Sequence, residues 1–311
     1  MGSQAPLGLP TIDFSDVHKY NRGTLVWDST KTQVLEALQD YGCFEASFNR
    51  VSPAIRKSMF ASLEQLFDFP LETKVRNIPD KIFNGYIGQA KEIPIYESLG
   101  IEDPESFSKL MWPHGNTEFS NNIQVYREKL REVDEIVRTM VLESLHMEKY
   151  IEEHMELTSY LIRVMKYRAP EKDESNMGLL SHADKNMLTI LHQNEVEGLQ
   201  VQKKDGEWIK VKLSSNSFVV MVGETFRVWT NGRLHAATHR VVMSGDKNRF
   251  SIGFFSVPKW GKILKAPEEM VDEEHPLLFK PFDFGEFMKF FSRKENVNDK
   301  FGLEKYCGVS Y

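Results

Sequence analysis

The chain has 311 residues, of which 41% are hydrophobic and 12% aromatic, and its formal net charge at pH 7 is −6. This length and apolar content allow a sizeable buried core, which excludes an intrinsically disordered protein. An acidic balance also lacks the basic surface that nucleic-acid binding needs, so we expect no nucleic-acid partner.

The number of cysteines and the first residues of the chain indicate the cellular compartment in which the protein is expected. Cys43 and Cys307 are too few for a disulfide framework, which favours a reducing compartment. The start, MGSQAPLGLP, lacks the basic and apolar segments of a secretory signal, and Pro6 stands where a myristoylation signal has Ser or Thr. No apolar run approaches the roughly 18 residues of a transmembrane helix. We therefore expect a cytoplasmic protein with no membrane partner.

The N-terminal residues alternate between short strands and helices. Residues 9–14 (LPTIDF) and 43–48 (CFEASF) have the patterns of strands. A helix is predicted between Ser29, as its N-cap, and Gly42, which lies just past its end. A second helix is predicted to open after Ser52, with proline in its first turn, and to stop before the next proline.

The next part of the chain is less regular. Residues 84–88 (NGYIG) indicate a turn or loop. Residues 91–121 are rich in Pro, Gly and Ser, and we predict irregular structure there. Residues 123–160 carry a long helical pattern, and its charged run, KLREVDE, is predicted to be a solvated face.

From Tyr160 onward, apolar residues recur at every second position, which is the period of a β-strand. Lys204-Asp205-Gly206 predicts a hairpin turn, residues 259–281 a proline-bearing excursion, and residues 284–293 a last helix. Many short antiparallel strands separated by Gly, Asn and Asp predict a sandwich or barrel. The predicted strands are YLIRVMKY, MLTILHQ, LQVQ, EWIKV, SFVVMV, RVWT, HRVVM and RFSIGFFSV.

No linker or repeat divides the chain, so we predict one domain over residues 1–311, mainly β with flanking helices. Within it, residues 1–158 form a mixed α/β support region and residues 159–258 the β core. Residues 259–311 form a C-terminal extension and helix. We expect a monomer.

One ordered set of polar residues stands out. His182 and Asp184 are separated by one residue, His239 lies far downstream, and Arg249 and Ser251 begin ten residues after it. Two imidazoles and one carboxylate are the ligand set that holds one face of a non-haem Fe(II) centre. Arginine and serine two apart on a strand point to the same side, and a guanidinium fork fits a carboxylate.

With its surroundings, this set resembles the plant-type Fe(II)/2-oxoglutarate-dependent dioxygenases, whose pattern is H-x-D, then H, then R-x-S. The resemblance covers nearly the whole chain. The segments TILHQN, KDGEW, VDEEHPLLFKPF and LEKYCG are most similar to the clade of glucosinolate side-chain dioxygenases and dioxygenases for auxin oxidation. It implies a double-stranded β-helix (jelly roll) core with an N-terminal helical region. It also implies hydroxylation or desaturation of a small plant specialised metabolite or hormone, coupled to decarboxylation of 2-oxoglutarate to succinate and CO2.

The resemblance also implies the cofactors: Fe(II), 2-oxoglutarate as co-substrate, O2, and ascorbate as reductant. The family uses a tyrosine on the strand before H-x-D, which Tyr167 matches, although Met165 replaces the family's asparagine nearby. The residues expected to hold the cofactors are His182, Asp184 and His239 for Fe(II), and Arg249 and Ser251 for the far carboxylate of 2-oxoglutarate.

Five residues are candidates for binding the small-molecule substrate. Phe255 lies an even number of residues after Arg249 and Ser251 on the same predicted strand, so its side chain should face the cavity as theirs do. Packing in the core is the alternative. Met165 is expected to line the pocket, and Phe83 to lie on an N-terminal loop over it. Arg227 and Lys185 are candidate anchors for an anionic substrate, with surface charge as the alternative.

Other interpretations remain open from the sequence. His235, four residues before His239, is the rival metal ligand, and His192 is predicted to be structural. A non-catalytic protein that binds a small molecule or metal on the same scaffold is the alternative function. A zinc hydrolase is disfavoured, because it needs no Arg-x-Ser pair and more often has three histidines or two with a glutamate.

Overall fold

The computed structural model describes residues 8–78, 80–297 and 299–310; most of the opening segment considered for a targeting signal lies outside them. No helix in these ranges is long and apolar enough to cross a membrane. The strands are β1 Thr11–Asp13, β2 Cys43–Ser47, β3 Tyr96–Ile101, β4 Thr158–Tyr167, β5 Met177–His182, β6 Leu188–Gln193, β7 Leu199–Gln202, β8 Trp208–Lys210, β9 Ser217–Val222, β10 His239–Val242, β11 Arg249–Pro258, β12 Ile263–Leu264 and β13 Phe282–Asp283. The α-helices are α1 Leu25–Asp40, α2 Pro53–Asp68, α3 Leu71–Lys74, α4 Pro104–Met111, α5 Thr117–Ser144, α6 Ile151–Glu156, α7 Glu224–Trp229, α8 Phe284–Phe291 and α9 Gly302–Cys307.

Two sheets form the centre of the molecule. The larger has seven strands in the order β1-β2-β9-β6-β11-β4-β3, and the smaller has four in the order β5-β10-β7-β8. Apart from the parallel β1–β2 pair, neighbouring strands in both sheets are antiparallel. The predicted mainly β fold with flanking helices, built on a jelly roll, is confirmed.

The core has two parts, because the central strands bury both faces. One part joins the helices to the larger sheet and includes Leu38 of α1, Leu63 of α2, Val137 of α5, and Ile190 and Phe254 of the sheet. The second part lies between the two sheets and contains Met165, Leu191, Val219, Leu199 and Val241. Every residue of β6 and β9 is buried, as expected for strands covered on both sides.

Several predicted elements are confirmed. The Ser52 hydroxyl accepts from the Ile55 amide and caps α2, which carries its proline in the first turn. The Lys204-Asp205-Gly206 turn joins β7 to β8, and Gly206 has a φ of 92°, where a side chain would be strained. The predicted last helix is α8.

Two helix starts differ from the sequence pattern. Helix α1 begins before Ser29, because the Thr24 hydroxyl accepts from the Trp27 amide one turn earlier. Helix α4 was missed, although Asp103 accepts from the Ser106 amide and a proline follows it, which is an ordinary helix start.

Other differences concern the type or length of elements. The segment 91–121 contains β3, α4 and the start of α5 rather than irregular structure. The helix predicted over 123–160 ends at Ser144, and β4 already begins at Thr158. RVWT lies in helix α7 and at its C-terminal end, not in a strand. Four residues are too few to distinguish the period of a helix from that of a strand. Helix α9 was not predicted.

The charged run of α5 is not entirely solvated. Asp134 and Arg138 are fully buried, and the Asp134 carboxylate accepts from Nε and Nη2 of Arg138 at 2.9 and 2.7 Å. Arg138 also donates to the His154 carbonyl and the Thr158 hydroxyl, which joins α5 to α6 and β4. Spacing alone cannot show this pair, since its burial depends on what packs over the helix.

Replacing Arg138 with leucine is expected to lower the free energy of unfolding by about 3–5 kcal/mol, because it leaves the buried Asp134 carboxylate unpaired. The matched control is Arg131→Leu on the same helix, whose partner is Glu135 and whose side chain is 59% exposed. That control should cost about 0–1 kcal/mol. Urea unfolding measures both, and equal losses would contradict the structural role of Arg138.

Candidate metal and co-substrate site

Three side chains converge at one end of the smaller sheet. His182 ends β5 and His239 begins β10, and the two are register partners across that antiparallel pair. The Asp184 Oδ1 atom lies 3.6 Å from His182 Nε2 and 3.9 Å from His239 Nε2. Among the described residues, these three form the group whose ligand atoms all lie within 4.8 Å of one another. This spacing suits three ligands of a single ion.

Backbone carbonyls orient both imidazoles. Nδ1 of His182 lies 2.8 Å from the Leu180 carbonyl, and Nδ1 of His239 lies 3.1 Å from the Ala237 carbonyl. Donation from Nδ1–H to a carbonyl leaves the Nε2 lone pair free for a metal. Burial, with the neighbouring His182, lowers the pKa of His239 to about 4. The imidazole of His239 is therefore neutral at pH 7, as metal binding requires.

The Asp184 carboxylate is oriented by a hydrogen bond from β6, whose donor is in turn contacted by the loop before that strand. The Thr189 hydroxyl donates to Asp184 Oδ2 at 2.6 Å, and Asn186 Nδ2 donates to the Thr189 oxygen at 3.1 Å. Burial alone would raise the pKa of Asp184. His239, His182 and the Thr189 bond outweigh it and hold that pKa well below its usual range. The carboxylate is therefore charged, with Oδ1 turned to the imidazoles. Sequence reasoning missed Thr189; its polarity within an apolar strand was the available signal.

Thr189→Val is expected to weaken Fe(II) binding about 10- to 100-fold, because the metal carboxylate loses its orienting donor. The control is Thr230→Val, another buried threonine, whose hydroxyl donates to the Phe226 carbonyl within α7. Anaerobic Fe(II) titration measures both variants. A Thr189→Val affinity within about threefold of wild type would contradict the positioning role.

A second polar group lies in the larger sheet, where β11 runs between β4 and β6. Arg249 pairs with Tyr167 across β4 and β11, and Ser251 pairs with Met165. Arg249 is fully buried, and its Nε and Nη2 donate to Gln193 Oε1 at 3.3 and 2.8 Å. Its Nη1 lies 3.4 Å from Ser251 Oγ, and its guanidinium carbon lies 4.8 Å from the Tyr167 ring centroid.

Within the described part of the chain, Arg249 has no carboxylate partner. Burial lowers the pKa of this guanidinium. Arginine side chains are not deprotonated in proteins, so Arg249 is a buried cation. A buried cation with only neutral partners is suited to an incoming anion. Gln193, which orients the fork, was missed as a site residue, although it stands in the segment TILHQN that carries part of the family resemblance.

The three ligand side chains line a cavity of about 380 Å³. Tyr167 also lines it, whereas Arg249 and Ser251 are buried beside Tyr167 and are not in the wall. The cavity is mostly apolar, and the structure brings to it four of the five predicted substrate residues. These are Phe255, Met165, Phe83 and Lys185.

Arg227 is not brought to the cavity, which corrects its prediction as a substrate anchor. Its Nη1 donates to Glu304 at 2.9 Å, and its guanidinium lies over the Phe279 ring. Lys185 is in the wall, but its Nζ lies 2.8 Å from Glu224 Oε1, so its charge already has a partner. A cation that sequence reasoning missed, Arg163, is also in the wall.

The other histidines considered lie elsewhere. His235 is not in the cluster of ligand atoms, and burial lowers its pKa to about 4. His192 is buried with Nδ1 3.2 Å from the Tyr126 hydroxyl and its ring against Phe60 and Phe218. These are the contacts of a structural side chain in the helix-facing core.

Comparison with known proteins is consistent with this geometry. Residues 158–258 match the model of the 2OG-Fe(II) oxygenase superfamily, and residues 9–108 match that of the non-haem dioxygenase in morphine synthesis N-terminal. The chain is 48% identical over 294 residues to the probable 2-oxoglutarate-dependent dioxygenase AOP1 of Arabidopsis thaliana, covering 91% of this chain and 96% of that protein.

Solved structures give the same fold. The crystal structure of dioxygenase for auxin oxidation in rice is 25% identical, with a TM-score of 0.79 over 97% of this chain and all of that one. The Arabidopsis thaliana dioxygenase for auxin oxidation 1, solved as a binary complex with 2-oxoglutarate, is also 25% identical. Its TM-score is 0.76 over 86% of this chain and 99% of that one.

Proposed function

We propose site residues and a substrate class for this chain, which belongs to the 2OG-Fe(II) oxygenase superfamily and is a 2-oxoglutarate-dependent dioxygenase. Its reaction hydroxylates or desaturates a small plant metabolite and is coupled to decarboxylation of 2-oxoglutarate to succinate and CO2. Fe(II), when bound, activates O2 for this oxidation. The observation that carries the assignment is the cluster of His182, Asp184 and His239 in an apolar cavity next to the buried Arg249.

In the proposed site, His182, Asp184 and His239 would hold Fe(II). Two neutral imidazoles and one carboxylate give the Fe(II) site a net charge of +1, so it attracts an anionic chelating co-substrate. The resting orientation of the ligands comes from the chain itself, since backbone carbonyls fix both rings and Thr189 fixes the carboxylate.

For the co-substrate, we propose that Arg249 and Ser251, with Tyr167, hold the far carboxylate of 2-oxoglutarate. The support is the side-by-side placement of the guanidinium and the hydroxyl, with Gln193 orienting the fork. Burial makes this contact strong, because a carboxylate that leaves water must recover its lost solvation from paired donors.

The proposed primary substrate is largely apolar and carries one anionic or polar group. Phe255, Met165 and Phe83 supply apolar wall, and a cavity of about 380 Å³ suits one small molecule. The similar rice protein is a dioxygenase for auxin oxidation, and a small indole acid of that kind is a member of the class we propose.

We further propose that the chain acts as a cytoplasmic monomer and that residues 1–158, 159–258 and 259–311 form one domain. Two buried free cysteines, Cys43 and Cys307, agree with a reducing compartment. The acidic balance agrees with a small-molecule partner rather than a nucleic acid.

The experiment is a panel of small acids, alkaloids and phenolics incubated with protein, 2-oxoglutarate, Fe(II), ascorbate and O2. We expect small apolar acids to stimulate succinate formation, with product mass raised by one oxygen or lowered by two hydrogens. Stimulation only by polycationic or polymeric compounds would contradict the substrate class. Binding of panel compounds without any succinate would instead favour a non-catalytic binding protein.

A further inference from the structure

We infer that Arg163 binds the anionic group of the primary substrate, an inference that rests on the proposed function. Arg163 lies on β4, on the face that carries Leu161, Met165 and Tyr167 into the cavity wall. Its side chain is in that wall although the residue is only 7% exposed. The sequence pattern did not single it out, because an arginine in an alternating strand is usually a solvent-facing charge.

The hydrogen bonds of Arg163 leave its charge unpaired. Its Nη1 donates to the Gly85 carbonyl at 3.1 Å and to Ser98 Oγ at 2.8 Å, and its Nη2 donates to the Phe83 carbonyl. These three bonds use three of the five N–H donors of a guanidinium. Across the ranges that the structure describes, the other two have no acceptor and no carboxylate lies within ion-pair distance of Arg163. A buried cation in this state has unused capacity for an anion.

Of the two cationic side chains in the described cavity wall, Arg163 is the one without a carboxylate partner. Lys185, the other lysine or arginine in the described wall, is paired with Glu224 at 2.8 Å. The wall is otherwise dominated by apolar side chains, so an anion entering the cavity would find its strongest neutralising partner at Arg163. This assigns to Arg163 the role that the sequence suggested for Arg227 or Lys185.

Glycines flank Arg163 on both neighbouring strands, where the loop before β3 and the aromatic wall of the cavity pack closely. Gly100 on β3 and Gly253 on β11 are the register partners of Arg163. A Cβ on Gly100 would clash with the Asn84 carbonyl oxygen and would lie 3.3 Å from Arg163 Nη2. A Cβ on Gly253 would lie 2.5 Å from the Phe255 ring. A side chain at either position would displace the loop or the aromatic wall beside the cation.

The two arginines divide the cavity region into two anion sites. Arg163 is four residues from Tyr167 along β4, about 13 Å in an extended strand, and Arg249 is the register partner of Tyr167. A substrate carboxylate at Arg163 would therefore not compete with the far carboxylate of 2-oxoglutarate at Arg249. The apolar body of the substrate would lie between Arg163 and the metal ligands, along Leu161, Met165 and Phe255.

A purely structural role for Arg163 makes a different prediction. Its bonds to the Phe83 and Gly85 carbonyls hold the loop that covers part of the cavity, so losing them would weaken every ligand alike. Pairs of ligands that differ only in charge separate the two roles. The probes are indole-3-acetate, 3-phenylpropanoate and 4-phenylbutanoate, each compared with its primary amide.

Dissociation constants are measured by anaerobic calorimetry on Fe(II)-loaded protein with saturating 2-oxoglutarate. At least one acid should bind wild type about 10- to 100-fold more tightly than its amide, the effect of one or two charged hydrogen bonds. Arg163→Gln should reduce that ratio to within about threefold while the amide affinity changes little. Arg163→Lys should be intermediate. Ser98→Ala, which removes one neutral partner of the guanidinium, should keep the preference for the acid.

Equal weakening of acid and amide in Arg163→Gln, or no preference for any acid in wild type, would overturn the inference. A parallel titration of 2-oxoglutarate separates this result from the proposed function. Failure of wild type to bind 2-oxoglutarate counts against the proposed co-substrate site. Normal 2-oxoglutarate binding without an Arg163-dependent acid preference counts against Arg163 alone.

Discussion

His239→Ala is expected to abolish succinate formation and to weaken Fe(II) binding severely, whereas His235→Ala should retain both. His239 is the ligand that only β10 brings to the site, opposite His182, with its Nε2 3.9 Å from Asp184 Oδ1. Without it, two protein ligands remain, too few to hold the metal on a full face. His235 lies four residues earlier and outside the cluster of ligand atoms, so its loss should leave the site complete.

The measurements are anaerobic Fe(II) titration and succinate formation, with thermal unfolding to compare the folded state of both variants. His235→Ala is a matched control, because it removes another imidazole only four residues earlier, in the connection that leads to β10. Normal turnover by purified His239→Ala protein, or loss of metal binding in His235→Ala, would show that the assignment of the third ligand is wrong.

Arg249→Ala is expected to weaken 2-oxoglutarate binding by roughly 10²- to 10⁴-fold. Each charged hydrogen bond to the carboxylate contributes about 1.5–3 kcal/mol, and each 1.4 kcal/mol is a factor of ten. The substitution also leaves Gln193 Oε1 without the donor that it faces. Fe(II) affinity should hardly change, since Arg249 is not a metal ligand.

Two further variants sharpen the Arg249 test. Arg249→Lys keeps the charge but loses the planar fork, so its affinity should fall between those of wild type and Arg249→Ala. Arg227→Ala removes an arginine that pairs with Glu304 outside the cavity, and it should bind 2-oxoglutarate normally. If the dissociation constant of Arg249→Ala lies within about threefold of wild type, the far carboxylate is held elsewhere.

The parts of the site that the sequence predicted are carried by local spacing. His182 ends β5 and Asp184 follows two residues later, so their short separation brings them together. Arg249 and Ser251 share a face of β11, where strand periodicity places them side by side. His239 joins them because its strand pairs with the strand that ends at His182. The family pattern identified His239 as the third ligand, which spacing alone does not single out.

Most residues that sequence reasoning missed depend on contacts between distant segments. Gln193 meets Arg249 only once β6 lies beside β11. Thr189 is the exception, because it meets Asp184 across a local turn of five residues. The environment of Arg163 is made by β3, which was predicted as irregular chain, and by the loop at residues 83–85. These contacts follow from sheet order, which short apolar runs do not determine.

The burial of Asp134 and the helical structure of α7 were also not predicted, because both depend on packing between distant segments. Asp134 lies in a run of charges that looks solvated, and its burial depends on α6 and β4 packing over α5. Arg227 was predicted to lie in a strand, but it lies in α7 and turns toward Glu304 near the end of the chain. Most of the predicted site residues therefore do line the cavity, whereas the partners of the charged side chains could not be predicted from charge and pattern.

The central claim is that one molecule of 2-oxoglutarate is held at both ends, by the metal on His182, Asp184 and His239 and by Arg249. The most direct test is titration of 2-oxoglutarate into wild-type protein with and without Fe(II), in the absence of O2. We predict that removing Fe(II) weakens binding at least about tenfold, a loss of 1.4 kcal/mol or more, because only the arginine end then remains. Equal affinity with and without Fe(II) would contradict the account.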